Sequence, residues 1–341
     1  MGSNQYPNLQ DDFLMGVLDK TFPARNLLHP MLFPTEPTFS EVAEWDVRFG
    51  GTELASFVAK DSPAHVHKAE NSKTLLAKLC YCREKQPIPE SVLMNLRPLG
   101  VSTNDPANRS KGSIADVKLS KIVERLDRSV DLLVEWACMQ ALQGELHYNR
   151  HKVKIDIDYG FKSSHKFPVS IPWTDYDNAE ILKNFDDVQE MAVDEGSPPI
   201  TDAIMTTKTF NLIKHNSAIR GLLKYERGVD IVETGFLTKV SDINLIKYDV
   251  TYQGDDGLTK KMLADYTVIF LARTGPTGDP VGILIEGPSK ANNGTPGRFS
   301  KSWDTPDPED TWVLVGYYFV PAITYPDWIW VVNVNPAPAV A

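Results

Sequence analysis

One long stretch without proline or glycine dominates this sequence. Residues 113–143 contain neither, although the 341-residue chain holds 24 prolines and 21 glycines. Ser113 with Asp116 predicts an N-terminal cap, and Gly144 stands where a helix would stop. Such a helix runs about 45 Å, so we expect a spine on which the rest of the chain packs. Its apolar residues recur every three or four positions, as on one face of a helix: Ile114, Val117, Ile122, Leu126, Val130, Leu133, Ala137 and Ala141.

The overall charge argues against a surface that binds nucleic acid or anionic membrane. The chain carries 35 basic and 45 acidic residues, a net charge of −10, which repels both. No basic leader followed by an apolar run opens the sequence, so we expect no secretory signal. The apolar segment Thr311–Val334 is interrupted by Pro321, Pro326 and Asp327, which favours strands over a membrane span. Three cysteines indicate assembly in a reducing cytoplasm.

The first 44 residues are predicted to form an extended arm. A short helical pattern over Asp11–Lys20 is followed by Pro23, Pro30, Pro34 and Pro37, which prevent any long regular element. Such a segment buries little surface by itself. We therefore expect it to rest on its own domain or on a neighbouring subunit.

The segment after the arm shows the alternation that is typical of strands. Two strand-like runs, Leu54–Ala59 and Leu75–Glu84, flank the polar stretch Asp61–Lys73. This pattern predicts a long hairpin with a mobile tip. Pro87 and Pro89 are expected to close it.

Beyond the spine, the pattern predicts a mixed lobe and hence an α+β fold. The turn Gly-Asp-Asp-Gly at 254–257 indicates a hairpin between two of its strands. The predicted elements are a half-exposed strand in a hairpin over Leu146–Phe161, helices over Asn178–Glu195 and Thr206–Tyr225, and strands over Ile243–Gln253, Met262–Leu271, Val281–Glu286 and Thr311–Val334.

The sequence contains no motif that is typical of catalysis. The pairs His65/His67 and Cys80/Cys82 could present four zinc ligands, but their spacing departs from that of zinc sites. We interpret them as solvated histidines and small buried hydrophobes. The segment Gly275–Gly282 lacks the ending of a phosphate loop and is interpreted as a turn. We therefore predict no catalytic residue, no cofactor and no metal.

Aromatic residues crowd the end of the chain. They can form a core under the spine helix, or they can anchor contacts between subunits, where Trp and Tyr are enriched. Both interpretations stay open, and the residues are Trp303, Trp312, Tyr317, Tyr318, Phe319, Tyr325, Trp328 and Trp330.

The order of these elements resembles the major capsid protein of tailed bacteriophages, and more narrowly the phage lambda major head protein family, capsid family E. The likeness covers Asp11 to Val334 and rests on ordered motifs. They are Gly50–Val58 with Ser62–Val66, Ala203–Met205 with His215–Arg220, and the C-terminal series Gly287-Pro288, Phe299–Trp303, Asp307-Pro308 and Pro321–Trp328.

The resemblance implies the tailed-phage major capsid fold, with an arm, an extended loop, a peripheral domain and an axial domain. The implied division is 1–44 for the N-terminal arm, 45–99 for the extended loop, 100–168 for the peripheral domain with the spine helix, 169–306 for the axial domain, and 307–341 for the return to the peripheral domain.

The resemblance also implies a function. The chain is expected to be a non-enzymatic head protein that assembles as pentamers and hexamers into the icosahedral shell around phage double-stranded DNA, in the host cytoplasm. An encapsulin-like nanocompartment shell and a soluble enzyme are the alternatives. The implied subunit-interface residues are Arg48, Gly50, Gly51, Phe57, His65, His67, Arg83, Trp303 and Trp328.

The expected partners follow from the same resemblance. No long extension precedes the arm, so a separate scaffolding protein is expected. A portal protein is expected as well, and whether a decoration protein binds the lattice stays open. The DNA is enclosed without specific binding, and no membrane is involved.

Overall fold

A computed structural model describes residues 14–15, 18, 27–49, 71–89, 112–225, 239–254, 256–275, 278–306 and 309–336. Its helices are α1 (His29–Leu32), α2 (Gly112–Leu142), α3 (Ile181–Asp194), α4 (Thr207–His215) and α5 (Ser217–Tyr225). Short 3₁₀ turns cover Ser163–His165, Lys290–Asn292 and Pro326–Trp328.

The strands fall into two large sheets and three two-stranded ribbons. They are β1 (Thr35–Pro37), β2 (Val42–Phe49), β3 (Asn71–Lys78), β4 (Cys80–Pro89), β5 (Glu145–Arg150), β6 (Val153–Asp158), β7 (Lys166–Pro168), β8 (Asp202–Met205), β9 (Lys239–Val240), β10 (Ile243–Lys247), β11 (Thr251–Gln253), β12 (Thr259–Lys261), β13 (Thr267–Leu271), β14 (Gly282–Glu286), β15 (Phe299–Pro306), β16 (Glu309–Ile323) and β17 (Ile329–Asn333).

The predicted spine is helix α2, which ends where the sequence indicates. The N–H of Gly144 donates to the carbonyl of Ala141 at 2.8 Å, and Gly144 has a φ of 93°, in the left-handed region that glycine adopts at little cost. The start of the helix differs from the prediction. Because α2 begins at Gly112, Ser113 lies inside it rather than at its cap.

The five-stranded sheet packs against the spine through one face. Its order is β1-β14-β16-β15, and β4 also pairs with β16. Val313, Val315, Tyr317 and Phe319 alternate along β16 and are buried in the same core as the spine residues. This alternation is the period of two that strands impose.

The six-stranded sheet separates two hydrophobic cores. Its order is β7-β17-β13-β8-β10-β9. Ile269 and Leu271 of β13 belong to the spine core, whereas Val268 and Phe270 belong to a second core that includes buried residues of α3 and α4. The predicted mixed lobe is therefore built on this sheet.

Two features of the N-terminal half depart from the prediction. The partner of β3 is β2, in register from Val42–Lys78 to Phe49–Asn71, while the predicted first arm Leu54–Ala59 lies outside the described residues. The predicted second arm divides at Leu79 into β3 and β4. Pro87 does not close a hairpin; it lies within β4, opposite Trp312.

Part of the predicted arm packs on its own chain. Leu32 and Phe33 are each 1% exposed in the spine core, and β1 adds to the five-stranded sheet in parallel with β14. Only Leu14, Met15 and Leu18 are described in the predicted helix 11–20, and all three are helical.

In the second half, several predicted elements are split. The helix predicted over 206–225 breaks at Asn216, whose backbone is extended with a ψ of 131°. The strand predicted over 243–253 is divided into β10 and β11, and the strand predicted over 262–271 is shortened to β13. The hairpin at 254–257 is confirmed by the pairing of β11 with β12. The predicted strand over 281–286 is β14, and it pairs with β16. Strand β15, which was not predicted, also pairs with β16.

Among the residues that the structure describes, no helix combines the length and the apolarity needed to cross a membrane.

Candidate subunit-contact surfaces

Glu135 ties the N-terminal segment to the spine helix. This fully buried carboxylate accepts hydrogen bonds from the N–H groups of Leu28 at 3.0 Å and His29 at 2.9 Å, and from His29 Nδ1 at 2.9 Å. It also accepts from Tyr248 Oη at 2.7 Å. Burial by itself would raise the pKa of Glu135, but these hydrogen bonds outweigh it and hold the pKa below its ordinary value. One side chain thus joins the arm, the spine and the segment after β10.

A second buried ionic group lies one turn earlier on the spine. Arg298 donates to Asp127 at 2.7 Å and to Asp131, and its guanidinium carbon lies 5.0 Å from the centre of the Tyr317 ring. Both carboxylates are 2% exposed. Burial raises the pKa of Asp127, and the charge of Arg298 only partly offsets this. Tyr317 in turn donates to Glu286, so the network crosses from helix to sheet.

The acids of these two groups form a stripe that the sequence analysis missed. Asp127, Asp131 and Glu135 are spaced by four residues, so they share one face of the helix. Asp127 follows Leu126, and Asp131 follows Val130, two apolar residues of the predicted stripe. Acidic residues are rarely buried without a partner, and the signal in the sequence was their exact repeat within an apolar pattern. Their partners Arg298 and Tyr248 are more than 100 residues away in the sequence, so no local pattern could predict these contacts.

Arg48 and Trp328, both predicted at subunit interfaces, are brought together by Tyr325. Arg48 Nη1 donates to Tyr325 Oη at 3.0 Å, and the Tyr325 and Trp328 rings stack with centroids 3.8 Å apart and planes at 2°. The backbone N–H of Arg48 also donates a hydrogen bond to the carbonyl of Thr324 at 2.9 Å. Trp328 is only 7% exposed. The group therefore fastens the Phe49–Asn71 end of the β2–β3 ribbon to its own chain.

Arg83 and Trp303 lie on the face of the five-stranded sheet that points away from the spine. Trp303 stacks on Trp312 with centroids 6.4 Å apart, and Lys85 Nζ lies 4.4 Å from the Trp312 ring centre. Arg83 lies over Tyr81 at 4.8 Å. We call this surface the aromatic–basic face. Its cross-strand rows are Tyr81–Tyr318, Arg83–Gly316–Phe299, Lys85–Leu314–Lys301 and Pro87–Trp312–Trp303.

The β2–β3 ribbon exposes apolar side chains near its Val42–Lys78 end. Leu76 is 68% exposed and Val42 is 39% exposed, and both point away from the buried residues Ala43 and Trp45. Phe39, just before the ribbon, is 80% exposed. Large apolar groups exposed in a cluster mark contact surfaces in soluble proteins.

Five of the predicted interface residues cannot be placed. Gly50, Gly51, Phe57, His65 and His67 lie outside the described residues, so their role stays a prediction.

The cysteines that were weighed as zinc ligands are set in the sheet. Cys80, Cys82 and Cys138 are free, and burial raises the pKa of the Cys80 thiol to about 11 and that of Cys82 to about 12. Thiols with such values are not thiolates at neutral pH, which makes them poor ligands and poor nucleophiles.

One other group of potential metal ligands occurs in the described part of the chain. His165, Glu195 and Asp327 bring their ligand atoms within 4.8 Å of one another. The Lys162 ammonium contacts both Glu195 and Asp327, at 2.5 Å and 3.1 Å. Because this cation already balances the two carboxylates, we interpret the group as an ion-pair network that connects α3 to the 3₁₀ turn before β17.

The comparison with known families decides what kind of protein this is. The profile of phage major capsid protein E matches residues 14–334. The chain belongs to the phage major capsid protein E family. Its members are structural proteins of the phage head, so this capsid protein is not an enzyme. A search of curated protein sequences finds no match.

Solved structures share the fold of this capsid protein at low sequence identity. A protein assigned as a prophage capsid protein of E. coli CFT073 is 15% identical with a TM-score of 0.66, and the match covers 96% of this chain and 99% of that one. A phage-related protein from Bordetella bronchiseptica RB50 is 12% identical with a TM-score of 0.59, and the match covers 96% of this chain and 98% of that one. The mature capsid of bacteriophage PhiM1 is 10% identical with a TM-score of 0.55, and the match covers 94% of this chain and 90% of that one. The expected capsid fold is thereby confirmed.

Proposed function

We propose that this capsid protein assembles as pentamers and hexamers that close into the icosahedral shell around phage double-stranded DNA. The observation that carries the proposal is the family match over almost the whole chain. A shell subunit needs extensive surfaces that repeat by symmetry rather than a catalytic pocket, because closure multiplies contacts that are individually weak.

The described surfaces support this role. The β2–β3 ribbon exposes Leu76, Val42 and Phe39, and the aromatic–basic face exposes aromatic rings on the opposite side of the sheet from the spine. In a monomer these apolar groups are exposed to water, which is unfavourable by a free energy of about 25 cal/mol per Å² of apolar surface. Contact with neighbouring subunits removes that surface from water.

The proposal includes the partners that the family resemblance implies. A separate scaffolding protein directs assembly in the host cytoplasm and a portal protein joins the shell, while the presence of a decoration protein stays open. The shell encloses DNA without specific binding, in keeping with a chain of net charge −10.

The test is expression of the chain alone and together with candidate scaffolding proteins, followed by negative-stain electron microscopy and light scattering. Rings or uniform hollow particles are expected with the scaffold. A matched variant, Leu76→Asp, should stay folded and assemble poorly, whereas Lys239→Glu on another exposed surface should assemble normally. A discrete small oligomer under all conditions would contradict the proposal. Uniform shells from the chain alone would exclude the need for a scaffold.

A further inference from the structure

The aromatic–basic face carries three cations. Arg83, Lys85 and Lys301 form no ion pair with any carboxylate in the part of the chain that the structure describes. Lys85 and Lys301 flank Leu314 in one cross-strand row, about 10 Å apart. This face also exposes two aromatic side chains, Tyr81 at 40% and Trp303 at 36%. Its positive charge contrasts with the net charge of −10 of the whole chain.

Helix α3 carries the complementary surface. Its buried side, made by Ile181, Phe185, Val188 and Ala192, packs in the second core. Along its exposed side run Asp186, Glu190 and Asp194, spaced by four residues. None of the three forms an ion pair within the described ranges. We call them the acidic ridge, and the apolar side chain of Val193, 66% exposed, lies beside it.

The two surfaces match in spacing as well as in charge. Four residues of a helix advance about 6 Å, and two residues of a strand advance about 6.6 Å. Asp186 and Glu190 can therefore face Arg83 and Lys85 along one line when the helix lies parallel to the strand. An apolar residue beside the ridge then meets aromatic rings, which is the usual composition of a contact core.

Within one chain the two surfaces belong to different cores. The aromatic–basic face lies on the sheet that packs against the spine, and the acidic ridge lies on the helix of the second core. We propose that the acidic ridge of one subunit docks on the aromatic–basic face of a second copy of this chain. The contact is heterologous, so repeating it produces a ring when the rotation closes. This inference rests on the proposed function and names one of its contacts.

A charge exchange tests the pairing. The variants Arg83→Glu/Lys85→Glu and Asp186→Lys/Glu190→Lys each place like charges across the contact, and each should lower the yield of assembled particles at least about tenfold. A chain with all four substitutions restores opposite charges at every contact and should recover most of the wild-type yield. Circular dichroism verifies that every variant is folded, and Lys239→Glu, an exposed charge reversal elsewhere, should assemble as the wild type does.

A second measurement locates the contact directly. A zero-length carbodiimide applied to particles assembled from light and heavy isotope-labelled subunits should join Lys85 or Lys301 to an acid of the ridge in mixed-isotope peptides. Such peptides from two different subunits are expected in mass spectrometry. Cross-links from these lysines to other acids only would overturn the proposal.

The other possible outcomes also test whether the acidic ridge binds the aromatic–basic face. If the four-substitution chain is folded but assembles no better than either pair, the ridge is not the partner of this face. If Arg83→Glu/Lys85→Glu assembles normally and instead loses binding to duplex DNA, the face contacts nucleic acid, which overturns the inference. If the wild-type chain never assembles, the proposed function fails and this contact fails with it. Wild-type assembly with failed exchange refutes the contact alone.

Discussion

Glu135 is the single residue whose replacement should most clearly separate the N-terminal segment from the spine. Its two carboxylate oxygens serve four donors, the N–H groups of Leu28 and His29, the His29 ring and Tyr248. Glu135→Gln preserves the shape of the side chain but replaces one carboxylate oxygen by an amide NH2 group, which cannot accept a hydrogen bond. About half of the donors then lose their acceptor.

The expected loss is large because the site is buried. A buried donor left without a partner costs about 1–3 kcal/mol, and breaking a buried ionic group from one side costs about 3–5 kcal/mol. Two orphaned donors therefore predict a decrease in the free energy of unfolding of about 3–5 kcal/mol. This is a substantial part of the about 5–15 kcal/mol that stabilises a typical domain.

Urea denaturation of unassembled subunits and hydrogen exchange measure the two consequences. The denaturation midpoint should fall, and the amides of Leu32 and Phe33, which bond Leu28 and His29 in α1, should exchange faster. Glu124→Gln makes the same chemical change at a half-buried position of the spine and should shift stability by less than about 0.5 kcal/mol. A Glu135→Gln subunit as stable as Glu124→Gln, with unchanged exchange in α1, would refute this account of the anchor.

The same carboxylate sets a dependence on pH. Its pKa is lower in the folded state than its ordinary value of 4.5, so its stabilising contribution is present above that value and is lost as the pH falls through the folded-state pKa. Wild-type stability should therefore drop on acidification more steeply than that of Glu135→Gln, which has no carboxylate to protonate. Parallel pH profiles of the two proteins would contradict the assignment.

Two further predictions concern the packing around the sheet. Arg298→Leu leaves Asp127 and Asp131 buried without their cation, so it should destabilise the subunit by about 3–5 kcal/mol at neutral pH; the loss should shrink as the pH falls and the carboxylates are protonated, and a pH-independent loss in thermal denaturation would count against it. In Gly316→Ala the new Cβ would lie 2.4 Å from Phe299 Cζ, so the ring must move and the melting temperature should fall by the equivalent of about 1–3 kcal/mol; an unchanged melting temperature would show that the ring yields freely.

The sequence predicted the elements whose signal is local. The spine, the helix α3 and the hairpin at 254–257 follow from periodicity and from glycine at defined positions, and each lies within a few residues of its predicted bounds. The break at Asn216 was not predicted because the apolar period continues across it. The Asn216 side chain caps the next helix through the N–H of Ile219 at 3.1 Å, a role that Asn also fills without interrupting the hydrophobic pattern.

The sequence could not predict contacts between distant segments. The pairing of β3 with β2, and the position of Pro87 within a sheet strand opposite Trp312, depend on partners far along the chain. The same holds for the interface candidates. Trp328 and Arg48 were selected by residue type, but Trp328 is buried by its own chain, whereas the exposed Trp303 and Arg83 lie on one face because of a strand register that no local pattern specifies.

The central claim is that this chain is the subunit of a phage capsid shell. A cryo-electron microscopy reconstruction of the particles formed with a scaffolding protein tests it most directly. The account predicts a closed icosahedral lattice of five- and six-fold rings, with each chain folded around the spine helix α2. Particles without such symmetry, or a chain that forms only small closed oligomers, would contradict it.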